Sequence, residues 1–181
     1  SQAGYIMLAA LGNNWDASIA SLSYYVLIYV VANMAVFTII SVVEQNNGGK
    51  TDISDYNGFY KTNPRLSFLM TIAMFSLGGI PPFAGMFSKF FVFMSGVKGA
   101  DITTTEGAWI YGILFIALIN TVVSLYYYLK IVKAMYITRC DTPMPTFKSD
   151  TNTKFALAVC TTGIVLFGVF SCVYEWIAAA I

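Results

Sequence analysis

Residues 76–93 read SLGGIPPFAGMFSKFFVF, an apolar run with two adjacent prolines and one lysine. It lies in an apolar stretch from 66 to 97, which as a single helix would measure about 48 Å at 1.5 Å per residue. Because a hydrocarbon layer is about 30 Å thick, such a helix is too long for one crossing. The tandem prolines remove two amide donors and clash with the preceding turn. We therefore predict helices over 65–80 and 83–96, separated by a break at Gly79, Pro81 and Pro82.

Apolar composition excludes a water-soluble globule. Of the 181 residues, 57% are hydrophobic and 10% are charged, against about 25% charged in soluble domains. The apolar residues form long blocks, most of which approach the roughly 20 residues that cross a bilayer as a helix. We predict one domain, an all-α polytopic transmembrane helix bundle of about six spans, at residues 1–12, 17–43, 65–80, 83–96, 108–137 and 154–180. Polar loops are predicted at 44–64, 97–107 and 138–153.

Charge and cysteine usage exclude several classes of function. The net charge is +1 and no basic run occurs, so the sequence lacks the footprint of a nucleic-acid-binding protein. The sequence has no histidine, and Cys140, Cys160 and Cys172 are too far apart for a Cys-x-x-Cys pair. We therefore expect no metal, haem or iron-sulfur site built by this chain alone. Cysteines within an apolar block are expected to pack as small hydrophobic residues.

Basic residues orient the predicted bundle. Five of them flank the loop at 138–153 and two acidic residues oppose them, so this loop is predicted to face the cytoplasm or the mitochondrial matrix. The basic residues are Lys130, Lys133, Arg139, Lys148 and Lys154, and the acidic ones are Asp141 and Asp150. Counting crossings back from this loop places residues 44–65 and 97–107 on the opposite face.

Signals for helix ends and for a membrane interface are also present. Asp16 is predicted to cap the helix over 17–43, and Asn63-Pro64 is a cap followed by proline at the first helical position. The three tryptophans, Trp15, Trp109 and Trp176, lie at the edges of apolar blocks. An interfacial aromatic belt is expected to hold tryptophan at such edges.

Lys89 is the outlier of the sequence, because it lies inside an apolar block and its nearest charged residue is Lys98. A charge at the centre of a membrane helix costs at least about 2.5 kcal/mol, so such residues usually serve a function. Burial favours a neutral amine, whereas a nearby carboxylate or water chain favours the ammonium. A lysine between these influences can take up and release a proton. The alternative is snorkelling, in which the long stem reaches an interface.

Lys130 is a weaker candidate for proton translocation. It follows three consecutive tyrosines, Tyr126, Tyr127 and Tyr128, near the end of a predicted span. Its default role, like that of Lys133, is to fix the orientation of the bundle, and the tyrosines are expected to anchor at the interface. Asn120, Thr121 and Ser124 are polar residues within the same span, where such side chains more often join helices than conduct protons.

Two motifs resemble a known family. The string quoted above, together with SLYYYLKIVKAMY at 124–136, resembles subunit N of bacterial NADH-quinone oxidoreductase, the family called chain 2 in mitochondrial complex I. The opening residues, Ser1 to Tyr5, are similar to a helix start in the second half of that family. The resemblance covers essentially the whole chain. Related antiporter-like subunits share the Gly-(Leu/Ile)-Pro-Pro turn, but subunit M tends to carry glutamate where this sequence has Lys89.

The resemblance implies an architecture. Members of the family have fourteen spans in two inverted five-helix repeats, with lysines and a glutamate along a central polar axis. This chain resembles the C-terminal six spans, and its beginning at Ser1 is read as internal. Lys89 matches the lysine on the discontinuous helix of the second repeat, and a break in that helix is expected between Ser95 and Gly107. The first repeat, with its glutamate-lysine pair, is not represented.

The resemblance also implies a function. It predicts a proton-translocating membrane-arm subunit of NADH-quinone oxidoreductase, part of an enzyme but without a redox site of its own. NADH, FMN, iron-sulfur clusters and quinone would be bound elsewhere in the complex. The expected partners are other membrane-arm subunits, lipids and the N-terminal half of the subunit, in a bacterial cell membrane or a mitochondrial inner membrane. A cation/proton antiporter subunit and a purely structural membrane segment are the alternatives.

Overall fold

The computed structural model describes residues 2–12, 14–49, 52–140, 143–147, 149–170 and 172–180. These residues form α-helices and one short 3-10 turn at Ile53–Tyr56, and no strand occurs among them. The predicted all-α class is therefore confirmed. The helices are α1 (Gln2–Ala9), α2 (Trp15–Asn46), α3 (Phe59–Thr62), α4 (Pro64–Gly78), α5 (Ala84–Val97), α6 (Thr105–Tyr136), α7 (Thr151–Val169) and α8 (Cys172–Ala179).

Helix α2 is the central element of the bundle. It packs against α4, α5, α7 and α8, and its 32 residues would extend about 48 Å. The Asn14 side chain accepts a hydrogen bond from the Ala17 amide at 3.0 Å. Asn14 is therefore the N-cap, and Asp16, predicted for that role, lies in the first turn. A carboxylate in the first turn still favours the helix through the positive end of its dipole.

One end of the bundle, called the basic face here, brings residues 52–64 together with residues 134–140 and 143–147. The Asn63 amide donates to the Pro145 carbonyl at 3.1 Å, and the Phe147 amide donates back to Asn63 Oδ1 at 3.3 Å. The Gly58 amide donates to the Ala134 carbonyl at 3.2 Å. Two loops joined by hydrogen bonds cannot lie on opposite sides of a layer about 30 Å thick. The prediction that residues 44–65 face away from the loop at 138–153 is therefore wrong.

Helices α4 and α5 are two halves of one crossing. They have 15 and 14 residues, or about 22 and 21 Å, each shorter than the hydrocarbon layer. Helix α4 begins on the basic face, whereas the end of α5 packs through the Ser95 carbonyl against Gly12, just before α2. The interruption lies at residues 79–83, as the prolines predict. The break expected between Ser95 and Gly107 is instead a turn between two crossings.

The last predicted span, 154–180, is also interrupted. Helix α7 ends at Val169 with Phe170 in an extended conformation, and α8 begins at Cys172. The Phe167 carbonyl in the last turn of α7 accepts a hydrogen bond from Tyr24 Oη at 2.7 Å, which satisfies a group that the helix leaves unpaired. Gly168 packs directly against the backbone of Pro82. Both interruptions therefore lie at the same depth.

The charge distribution fits this arrangement. The described cations at the basic face are Lys61, Arg65, Lys130, Lys133, Arg139 and Lys154, whereas Lys98 lies at the other end. Asp141 and Lys148, which also entered the predicted charge balance, lie outside the described residues, as does Ser1. Trp15, Trp109 and Trp176 are exposed near the end opposite the basic face. In the part of the chain that the structure describes, three helices are long and apolar enough to cross a membrane, namely α2, α6 and α7. The chain is a multi-pass membrane protein.

The shared basic face predicts how single cysteines react. In a full-length subunit without other cysteines, Ser54→Cys and Arg139→Cys are expected to react with a membrane-impermeant maleimide from the same side of sealed vesicles. Lys98→Cys is expected to react only from the other side, since α5 ends there. Mass-tag labelling of right-side-out and inside-out vesicles measures this. Opposite labelling of Ser54→Cys and Arg139→Cys would contradict the arrangement.

Candidate functional site

The interruption between α4 and α5 exposes a backbone acceptor inside the bundle. Gly79 has φ +81° and ends α4 in the left-handed conformation that glycine adopts readily. The Gly79 amide donates to Ser76 O at 3.0 Å and the Ile80 amide to Phe75 O at 2.9 Å, a helix-ending pattern that leaves later carbonyls unpaired. Leu77 is one of these, because the residue four positions on is a proline without an N–H.

The side chain of Lys89 forms a hydrogen bond with this acceptor. Its Nζ donates to the Leu77 carbonyl at 2.9 Å, and the residue is only 5% exposed. Helical side chains lean toward the helix N-terminus, so the stem of Lys89 points back to the interruption. The amine also lies 5.4 Å from the centroid of the Tyr5 ring, which is within cation–π range. The amine is therefore held inside the bundle and does not snorkel to either face.

Close packing of α4 on α5 fixes this geometry. The Gly85 amide donates to Ser76 Oγ at 3.2 Å, which satisfies one of the unpaired donors at the start of α5. A Cβ on Gly85 would lie 1.6 Å from the Ser76 carbonyl oxygen, so only glycine fits. A Cβ on Gly79 would lie 3.2 Å from Lys89 Cδ. These glycines let the two helix ends approach closely enough for Lys89 to reach Leu77.

A hydrogen-bonded group around Gln2 reaches the same carbonyl. Gln2 Nε2 donates to Tyr128 Oη at 3.0 Å and lies 3.4 Å from the Leu77 carbonyl. Tyr25 Oη donates to Gln2 Oε1. Leu77 O can accept two donors, since a carbonyl oxygen has two lone pairs. The group therefore joins α1, α2, α4 and α6 around the amine carried by α5.

A small cavity lies among these groups. Its volume is about 10 Å³, space for about one water molecule. Its polar lining comes from Gln2, Tyr25, Tyr29, Ser76, Ser88 and Lys89. No carboxylate is among the lining residues that the structure describes. A single water there would meet enough polar partners to connect the amine with hydroxyl groups.

The predicted site residues separate into two places. Gly79, Pro81 and Pro82 form the interruption beside Lys89, and Pro81 and Pro82 are joined by a cis peptide bond. Lys130 lies apart, exposed in a groove at the basic face that it shares with Lys133, Ser54 and Asn57. The structure does not bring Lys130 to Lys89. Within the described ranges no cluster of three His, Cys, Asp or Glu side chains could hold a metal ion.

Sequence reasoning missed Gln2, Tyr25 and the Leu77 carbonyl as members of this site. Gln2 and Tyr25 look like ordinary polar residues near a helix end and within an apolar block, and only tertiary packing brings them to Lys89. The Leu77 carbonyl had a signal, because a proline four residues after any position removes the amide that its carbonyl would use.

Comparison with known proteins places the chain among antiporter-like membrane proteins. A family model described as NADH:quinone oxidoreductase/Mrp antiporter, TM matches residues 1–115. NADH-quinone oxidoreductase subunit N of Phocaeicola vulgatus is 52% identical over 175 residues, which cover 97% of this chain and 35% of that protein. The chain thus spans about a third of the length of this curated relative.

Two solved structures are similar to the fold. A chain of respiratory complex I from Thermus thermophilus matches with a TM-score of 0.69 and 27% identity, covering 98% of this chain and 38% of that one. A chain of the Mrp complex from Dietzia sp. matches with a TM-score of 0.79 over 99% of this chain and 40% of that one. The second match is only 18% identical and carries information on the fold alone.

Proposed function

Because the chain belongs to the NADH:quinone oxidoreductase/Mrp antiporter transmembrane family, we propose that it is the C-terminal part of a subunit that translocates protons across an energy-transducing membrane. Identity of 52% to a subunit N supports the NADH-quinone oxidoreductase branch of the family. In this proposal the complex, not the chain, catalyses NADH oxidation by quinone. The membrane is a bacterial cell membrane or a mitochondrial inner membrane.

Lys89 is the group that carries the proton. The observation that supports this role is an amine that is 5% exposed and bonded to a backbone carbonyl rather than to a carboxylate. A carbonyl accepts a hydrogen bond from either protonation state of the amine, so it positions Lys89 without fixing the charge. Changes in charge on neighbouring parts of the complex can then drive proton uptake and release.

The remaining parts of the machinery lie outside this chain. NADH, FMN, the iron-sulfur clusters and quinone are proposed to be bound by other subunits. Other membrane-arm subunits, membrane lipids and the N-terminal part of the same subunit are the proposed partners. A counter-charge for Lys89 would come from these partners. Lys130 is proposed to have at most an accessory role, as a cation at the mouth of a proton path on the basic face.

Two alternatives are kept. A cation/proton antiporter subunit would use the same fold without an electron donor, and the description of the matched family model includes Mrp antiporters. A purely structural segment would seal the membrane arm and need no titrating lysine. The antiporter alternative differs from the proposed function in its energy source. The structural alternative differs from it in the expected response to loss of Lys89.

The experiment that separates these functions uses the full-length subunit in native membrane vesicles. We expect NADH to drive proton uptake, co-purification of the subunit with flavin and iron-sulfur proteins, and loss of uptake when Lys89 is replaced. Proton movement driven by a sodium gradient without NADH would instead support the antiporter alternative. Assembly and uptake that do not depend on Lys89 would support the structural one.

Gln2 is proposed to position the site through its hydrogen bonds to the Leu77 carbonyl and to the hydroxyl groups of Tyr25 and Tyr128. Gln2→Leu is expected to lower NADH-driven proton uptake about fivefold, since one lost hydrogen bond in such a group is worth about 1 kcal/mol. The amount of assembled complex should stay unchanged. Asn120→Leu is the matched control, because the bond that the Asn120 amide makes within the described residues is to Ile116 O of its own helix. Equal uptake by both variants would contradict the positioning role.

A further inference from the structure

A second cavity, here called the α4–α7 cleft, opens at the basic face between the first turns of α4 and α7. Its volume is about 480 Å³. Arg65 of α4 and Lys154 of α7 both line it, and Ser149 adds a hydroxyl group at the rim. Both cationic residues are exposed. The rim therefore offers two positive charges from two different helices to one ligand.

The deeper wall of the cleft is apolar. Leu66 and Leu69 line it on α4, and Leu157 lines it on α7. Leu69 lies four residues beyond Arg65 and Leu157 lies three residues beyond Lys154, so the lining changes from charged to apolar within about 6 Å along each helix. A ligand that fits must carry an anionic group next to an apolar body.

Among the described residues, no carboxylate lines the rim of the cleft. Asp150, the residue that precedes α7, does not line the cleft. Within the part of the chain that the structure describes, no ion pair joins Arg65 or Lys154 to an acidic side chain. The charges are therefore available to a bound anion. Arginine is suited to such a role because its planar fork binds phosphate oxygens in pairs.

The cleft is held in shape by the contacts of the basic face. Asn63, at the start of α4, is 5% exposed and bonds to the Pro145 carbonyl and the Phe147 amide. Thr146 Oγ1 donates to the Thr62 carbonyl at 3.1 Å. Segment 143–147 is thereby tied to the entrance of α4. A preformed site needs little rearrangement when it binds a ligand.

We propose that the α4–α7 cleft binds an anionic phospholipid, with the phosphate headgroup at Arg65 and Lys154 and the start of an acyl chain along Leu66, Leu69 and Leu157. The cleft opens where α4 and α7 leave the membrane, which is the depth of lipid headgroups. Basic pockets between membrane helices on the positive face are suited to such lipids. The site is independent of Lys89 and would serve a proton pump or an antiporter equally.

The test uses the intact complex in nanodiscs made of equal parts phosphatidylglycerol and phosphatidylcholine. A cryo-EM map of the wild type is expected to show phospholipid density in the cleft, and lipid extraction should recover bound phosphatidylglycerol. Arg65→Gln with Lys154→Gln should remove that density and about one phosphatidylglycerol per complex. The control pair, Lys61→Gln with Lys133→Gln, changes the same charge on the same face outside the cleft and should leave both readouts unchanged.

Three results would overturn the proposal. The first is a cleft filled by another protein segment of the complex. The second is phosphatidylcholine occupying the cleft equally well in wild type and double variant, because the basic rim would then select nothing. The third is an equal loss of phosphatidylglycerol from the control pair, which would indicate a diffuse effect of surface charge.

Discussion

Replacing Lys89 with methionine is expected to reduce NADH-driven proton uptake by inside-out vesicles at least about a hundredfold, the lower limit for loss of a positioned proton-transfer group. Methionine is nearly as long as lysine and uncharged, so it fills the space without leaving a buried charge. The Leu77 carbonyl keeps the Gln2 amide as a donor. The complex should therefore assemble. Fluorescence quenching of a pH-gradient dye, normalised to the amount of complex, measures the effect.

Lys89→Arg distinguishes a proton carrier from a fixed cation. Arginine keeps the charge and the donors but does not lose its proton in proteins. We therefore expect this variant to pump as poorly as Lys89→Met. Lys98→Met is the control, since Lys98 is exposed just beyond the end of α5, and it should pump normally. Wild-type uptake by assembled Lys89→Met complexes would exclude the proton-carrying role.

Gly85→Ala is expected to cause the largest loss of assembled complex. The added Cβ would lie 1.6 Å from the oxygen and 2.5 Å from the carbon of the Ser76 carbonyl, and both are backbone atoms of α4. Neither atom can move aside by a change of rotamer, so the two helix ends must separate. Overpacking typically costs about 1–3 kcal/mol, and a clash of this depth should reach the upper end of that range or exceed it. Blue-native electrophoresis of solubilised membranes measures assembly.

A matched control for this substitution is available on α6. Gly112→Ala makes the same chemical change inside a membrane helix, but a Cβ there would have nothing within 4 Å. It should assemble like the wild type, with a slight gain from higher helix propensity. Equal assembly of the two variants would show that α4 and α5 tolerate a wider separation. The Lys89 contact to Leu77 would then not depend on this close packing.

Composition and local signals predict the class of the protein and the centre of its site. Long apolar blocks require lipid as the solvent, and backbone hydrogen bonding in lipid requires helices in such blocks. Tandem prolines after Gly79 predict the interruption because no helix can continue through them. Lys89 stands out because a charge in hydrocarbon has a large and general cost. Each inference rests on a local property that packing does not change.

The side of the loop at 44–64 could not be predicted correctly by counting blocks. A proline break can be a hairpin between two crossings or an interruption within one, and apolar composition is the same in both cases. Helix length carries the missing information. Segments of 15 and 14 residues are each too short to cross alone. The interruption after Val169 was missed for another reason. No proline precedes it, and it coincides with tertiary contacts of Gly168 with Pro82 and of the Phe167 carbonyl with Tyr24.

The Leu77 carbonyl has a consequence for genetics. Every amino acid at position 77 has the same backbone carbonyl oxygen. A substitution scan of Leu77 would therefore leave the acceptor for Lys89 in place, and residue 77 would be scored as dispensable. The oxygen is available because residue 79 reverses the backbone and residue 81 has no amide hydrogen. Selection on this contact would therefore act on Gly79 and Pro81, neither of which binds the proton itself.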